Sequence, residues 1–168
     1  MALNKVKLNY MRKIFLFCIV VLGAASLSHA QRISPNALGL RIGDSDGFGA
    51  EVSYQRLLKS NTRLELDLGW RDSNHVDAVK LTALHQWVWR LDGNFNWFAG
   101  AGGGLGSYDN ERLDKSGTFL FLAGDIGLEY NFDIPLVLSL DMRPELGFND
   151  YYRDDLDLDI ALGIRFQF

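Results

Sequence analysis

The chain has 168 residues, 48% of them apolar, with 17 Lys and Arg against 21 Asp and Glu. That length holds one domain, and a net charge of −4 argues against nucleic acid as a partner. The single cysteine, Cys18, rules out an internal disulfide framework and a thiolate metal cluster.

The first segment, MALNKVKLNYMRK, carries Lys5, Lys7, Arg12 and Lys13 and no acid. The apolar run IFLFCIVVLGAA follows, then small residues at Ser28 and Ala30. This order predicts a secretory signal peptide over residues 1–30, cut before Gln31. Met11 is an alternative start, because MRKIFLF opens a signal by itself. The apolar core is shorter than the roughly 20 residues of a spanning helix; a retained N-terminal anchor is the competing reading. Removing four basic residues and no acid takes the charge from −4 to −8 and removes Cys18.

From Gln31 onward the chain shows no helical period of useful length. It reads instead as eight alternating runs broken by turn residues, the mark of antiparallel strands. PNALGLRIG aligns Leu38, Leu40 and Ile42. FGAEVSYQR aligns Phe48, Ala50, Val52 and Tyr54, and TRLELDLGW sets Leu64, Leu66, Leu68 and Trp70 against Arg63, Glu65, Asp67 and Gly69. AVKLTALHQWVWR aligns Val79, Leu81, Ala83, His85, Trp87 and Trp89. LDGN is a tight-turn signal and leads into FNWFAGAGGGLGSY. TFLFLAGDIGLEYN, LVLSLDMRPELGF and LDLDIALGIRFQF complete the series, with the turns GDSDG, RDSNHVD, DNERLDKSG and NDYYRDD between runs.

Alternation fits a soluble exported β-barrel with an apolar core and also a membrane barrel with its apolar face outward. Four features favour the second. Aromatics gather at the strand ends: Tyr54, Trp87, Trp89, Trp97, Tyr130, Phe166 and Phe168 at one rim, Phe48 and Trp70 at the other. The apolar face carries almost no charge, His85 being its main blemish. Glycine falls largely on the polar face, as a crowded lumen requires and a wet surface does not. The runs match the roughly 9–11 residues of a tilted membrane strand. The predicted fold is all-β: a closed antiparallel eight-stranded up-and-down transmembrane β-barrel over residues 31–168, following a cleaved signal peptide.

With its signal segment, eight amphipathic runs and terminal Phe168, the chain resembles the small eight-stranded outer-membrane barrels of the OmpA and OmpX type. The resemblance covers residues 31–168. It implies location in the outer membrane of a Gram-negative cell envelope, contact with membrane lipid and lipopolysaccharide, and periplasmic termini. It also implies that the last strand ending in Phe168 is an assembly signal for the barrel-assembly machinery. No periplasmic domain follows the barrel run, so the peptidoglycan contact of larger members is not implied. The presumed outer loops are short, which weakens an adhesive tip; an extracellular partner is left unnamed.

Eight strands close on a space that side chains can fill, whereas aqueous porins need about 16. The polar faces carry Arg41, Arg63, Lys80, Arg90, Arg143 and Arg165 against nine carboxylates. Buried charges must pair, so a lumen charge network of Asp67, Lys80, Arg143 and Asp159 is expected, with Asp67 opposite Lys80 and Arg143 near Asp159. The expected role is structural or surface-interacting, with a plugged lumen; a narrow ion-conducting pore is the first alternative. A lipid A acyl-modifying enzyme is the second, with Ser73, His75 and Asp77 of SNHVD as its only candidate catalytic group. Their spacing does not match the motifs of such enzymes, and the plainer reading is a polar loop that contains a histidine. His85 reads as a neutral imidazole near the interface, or as the mark of a bulge.

No cofactor or metal site is expected. Asp154–Asp155 and Asp157–Asp159 lack a calcium-loop pattern. GAGGGLG lacks the Lys-Ser/Thr ending and following helix of a phosphate loop, so it reads as strand.

Overall fold

A computed structural model describes residues 33–45, 48–73, 76–110, 115–148 and 156–168. The expected signal peptide lies outside them. The elements are β1 (Asn36–Ser45), β2 (Phe48–Lys59), β3 (Thr62–Ser73), β4 (Val76–Arg90), β5 (Phe95–Asn110), β6 (Lys115–Asn131), β7 (Leu136–Gly147) and β8 (Leu156–Gln167). Each pairs antiparallel with the next, and β8 returns to β1 to close a barrel. Closure leaves no strand edge exposed. The seam is tied at its end, where the Asn36 N–H donates to the Phe168 carbonyl at 3.1 Å and the Phe168 N–H donates to that of Asn36 at 2.9 Å.

Period-two alternation now has a direction. Along β8, Leu156, Leu158, Ile160, Leu162, Ile164 and Phe166 are exposed, while Asp159, Ala161, Gly163 and Arg165 are buried. Ile160 is 58% exposed and Arg165 1%. Among the described residues the largest fully buried side chains are Arg41, Arg143, Arg165 and Lys80. A water-soluble protein almost never hides such groups and displays its leucines instead. The oily face looks out and the ionic face looks in.

The outer wall is graded. Leu68, Leu81, Leu105 and Leu120 stand in cross-strand register from β3 to β6. Toward the end of the barrel where β1 begins and β8 ends, the wall turns aromatic. Trp89 and Trp97, partners across β4 and β5, stack with ring centres 4.3 Å apart. Tyr130 meets Phe95 and Phe132 edge-on, each at 4.8 Å, and Phe166 stacks with Phe168 at 6.4 Å. Trp87, Trp89, Phe166 and Phe168 are exposed; Tyr54, Trp97 and Tyr130 are half-buried. The strands at this rim are joined by tight turns. One of them, in LDGN, uses Gly93 at φ 54°, a left-handed conformation that glycine adopts without steric cost.

Two details depart from the sequence expectation. Asp67 faces Thr82, and Lys80 faces Gly69, one pair away from the Asp67–Lys80 opposition. β3 runs on through RDS to Ser73, which pairs with Val76 at the start of β4, and counting back from that pair sets Asp67 against Thr82. Arg143 does face Asp159 across β7 and β8. The second detail is Pro144, inside β7. The β6–β7 ladder is regular from Phe121↔Gly147 to Ala123↔Glu145 and again from Ile126↔Met142, with a gap at Gly124 and Asp125. Proline has no N–H to give the ladder there. Gly124 lies against its ring, and a β-carbon on Gly124 would be 3.3 Å from Pro144 Cγ.

Candidate functional site

The lumen is built from inward positions of every strand, and arginine is its organising side chain. A guanidinium offers five donors in a planar fork, so one residue can bind several carboxylates at once. From β1, Arg41 donates to Glu51 at 3.1 Å, to Asp159 at 2.5 Å, and to Asp141 through Nε at 2.9 Å and Nη2 at 2.5 Å. From β7, Arg143 donates to Glu65 at 3.0 Å, Asp67 at 2.7 Å and Glu51 at 3.4 Å. Lys80 lies 3.4 Å from Glu51 and 3.1 Å from Glu145. Glu51 therefore joins three cations from three strands.

A second cluster lies toward the aromatic rim. Arg165 pairs with Glu65 at 3.3 Å and donates to the hydroxyls of Ser53 and Ser139, each at 2.8 Å. Arg63 donates to Glu129 and to the Gln86 carbonyl oxygen, both at 2.6 Å, and the Gln86 amide donates to Asp125. These bonds cross the lumen from wall to wall.

Toward the opposite end the filling is aromatic. Each of these rings lies over a glycine on the neighbouring strand, Phe121 over Gly104, Phe119 over Gly106 and Tyr108 over Gly117, and nearer the aromatic rim Phe98 lies over Gly127 in the same way. A β-carbon at Gly106 would sit 2.2 Å from Phe119 Cζ, and one at Gly104 2.4 Å from Phe121 Cζ. The missing side chains are where the rings fit. Arg63 lies 4.8 Å over the Phe98 ring and Lys80 lies 5.6 Å over that of Phe121, so ionic and aromatic fillings interlock.

Asp67, Lys80, Arg143 and Asp159 of the expected lumen network face inward and are buried, whereas Arg90 is exposed at the barrel mouth and Asp157 is half-buried. Asp67 and Arg143 bind directly. Lys80 reaches Arg143 through Glu51, and Asp159 reaches it through Arg41 and Glu51. Ser53, Gln86 and Ser139 were missed, since an uncharged polar residue announces itself only by its inward parity. Phe168 is exposed beside Phe166 at the seam.

Of the candidate catalytic group, Ser73 ends β3 opposite Val76, and Asp77 is exposed on the outer wall between Asp72 and Asp109. His75 lies outside the described residues. His85 faces outward, half-buried, with its ring edge-on to Trp87 at 4.8 Å. Among the described residues no group of three His, Cys, Asp or Glu side chains is placed to hold a metal.

An apolar wall around an ionic lumen, closed over eight strands, defines the class: a transmembrane β-barrel. The sequence matches no protein-family model and no curated protein. Solved structures do match. The N-terminal β-barrel domain of Pseudomonas aeruginosa OprF is similar with a TM-score of 0.68 at 15% identity, over 82% of this chain and 100% of that one. Neisserial surface protein A is similar at 0.58 and 12% identity, over 79% and 94%. A de novo designed transmembrane β-barrel is similar at 0.57 and 13% identity, over 82% and 100%. The chain thus has the fold of the small eight-stranded outer-membrane barrels. A designed barrel shares that likeness, so it speaks for architecture and assigns no role.

Proposed function

We propose that the protein is an integral component of the outer membrane, with its chain ends on the periplasmic side and a structural or surface-interacting role. The observation that carries this reading is Arg143. It has no exposed surface, yet it binds Glu51, Glu65 and Asp67 from two other strands. A guanidinium held this way is a cross-brace. It stiffens the barrel and occupies the space an ion path would need.

The network of Asp67, Lys80, Arg143 and Asp159, extended through Arg41 and Glu51, acts as a plug. Membrane lipid covers the leucine rows, and the aromatic rim sits at the periplasmic interface, where amphipathic rings are favoured. Phe168, at the end of the closing strand, serves as the address read by the barrel-assembly machinery. Single-channel recording in planar bilayers tests the plug: the purified barrel gives no steady conductance above the bare bilayer. Steady, reproducible open levels would overturn the reading in favour of a narrow pore.

A further inference from the structure

The charges of the lumen do not balance. Among the described residues five cationic side chains are buried there, Arg41, Arg63, Lys80, Arg143 and Arg165, against eight carboxylates, an excess of three negative charges. The outward wall of leucine and isoleucine offers them no counter-ion. A charge buried without an opposite partner is strongly unfavourable, so the folded barrel needs further positive charge from outside the chain.

The inner faces of β3 and β4 offer a place for it. One oxygen of Asp67 accepts from Arg143 at 2.7 Å, while the other, Oδ1, has no hydrogen-bond partner among the described residues. Its cross-strand partner is Thr82, whose hydroxyl Oγ1 has none either. Neither residue has any exposed surface. On β5 Thr82 faces Gly104, where the Phe121 ring fills the place of a side chain, so the hydroxyl meets an apolar neighbour on that side. Two neighbouring, fully buried oxygens thus face the lumen unanswered.

Oxygen donors alone select a hard cation. Calcium and magnesium draw on several carboxylates or on phosphate, and here Arg143 already lies against the same carboxylate. One carboxylate and one hydroxyl suit a single positive charge, with water completing its shell. A bridging water by itself would satisfy both oxygens and leave the charge unanswered. We propose that the lumen binds a monovalent inorganic cation of the sodium class between Asp67 Oδ1 and Thr82 Oγ1. The site rests on the buried ionic lumen, so a barrel that conducts would overturn the plug and leave the site standing.

Heat unfolding of the full chain, refolded in non-ionic detergent and followed by tryptophan emission, tests the proposal in sodium chloride and in choline chloride of equal ionic strength. Choline carries the same charge but is too bulky for a site with no exposed surface. The wild type should unfold about 3–5 °C higher in sodium than in choline. Thr82→Val keeps the shape of the side chain and removes its oxygen, so it should abolish that difference, and Thr82→Ser should retain it. Thr62→Val, which removes another buried hydroxyl without a hydrogen-bond partner, should also retain it. Where Thr82→Val does not fold, Asp67→Asn takes its place with the same expectation. Equal unfolding temperatures in the two salts overturn the proposal, and protons then neutralise the lumen. A difference that persists in Thr82→Val or Asp67→Asn overturns it too, because the cation then acts elsewhere.

Discussion

Among the described residues Asp67 forms an ion pair with Arg143 alone, whereas Glu65 also reaches Arg165 and Glu51 also reaches Arg41 and Lys80. Removing Arg143 therefore takes the paired cation from one carboxylate and weakens the pairing of two more. Breaking a buried ion pair costs about 3–5 kcal/mol, because the surviving charge stays desolvated. Arg143→Met should lower stability by that amount in urea unfolding from lipid vesicles followed by tryptophan emission. Arg90→Met, at an exposed position at the barrel mouth, should stay within about 0.5 kcal/mol. The glycines give a test of packing. Gly106→Val drives a methyl into Phe119 and should cost about 1–3 kcal/mol. Combining it with Phe119→Ala should give a loss smaller than the two single losses added together, since each change makes room for the other. Parity in the sequence was enough to send these arginines, glycines and rings inward. Pairing was not legible, because Arg143 and Asp67 lie 76 residues apart and meet only once the sheet closes.

At the scale of the strand, the sequence identified all eight elements, since a period of two over ten or more residues is hard to mistake. Their ends were harder to read. Polar residues such as Asp72 and Ser73 look like loop, yet they continue β3, and the pair Ser73↔Val76 sets a β3–β4 register two residues away from the one expected. A slip of two residues keeps every side chain on its face, so the inside-out assignment survived while the Asp67–Lys80 opposition did not. Pro144 is the strand-level irregularity. It stands opposite Gly124 where an N–H from β7 would reach β6. Pro144→Ala restores that donor and should stabilise the barrel by about 0.5–1.5 kcal/mol. The amide of residue 144 should then be slow to exchange with solvent deuterium. Rapid exchange there would mean that the ladder stays open for a reason other than proline.

For the molecule as a whole, closure and inversion depend on each other. A sheet with leucine outside needs hydrocarbon around it, and a ring of arginines and carboxylates inside needs every charge answered across the lumen. Neither half is stable in the other's solvent. The sequence carried the inversion through its aromatic rims and inward glycines, features that a wet outer surface would not select. It did not carry the depression in the outer wall beside Trp70, because the residues that line it come from four strands and become neighbours only through register.

The most direct test of outward leucines and tryptophans is depth-dependent quenching. Trp70, Trp87 and Trp89 are exposed on the wall, and the fourth tryptophan, Trp97, stacks on Trp89. Reconstituted into vesicles of phospholipid brominated along its acyl chains, the protein should lose most of its tryptophan emission compared with unbrominated vesicles. Emission that is unchanged by the brominated chains, from a protein that stays monodisperse in buffer without detergent, would contradict the account.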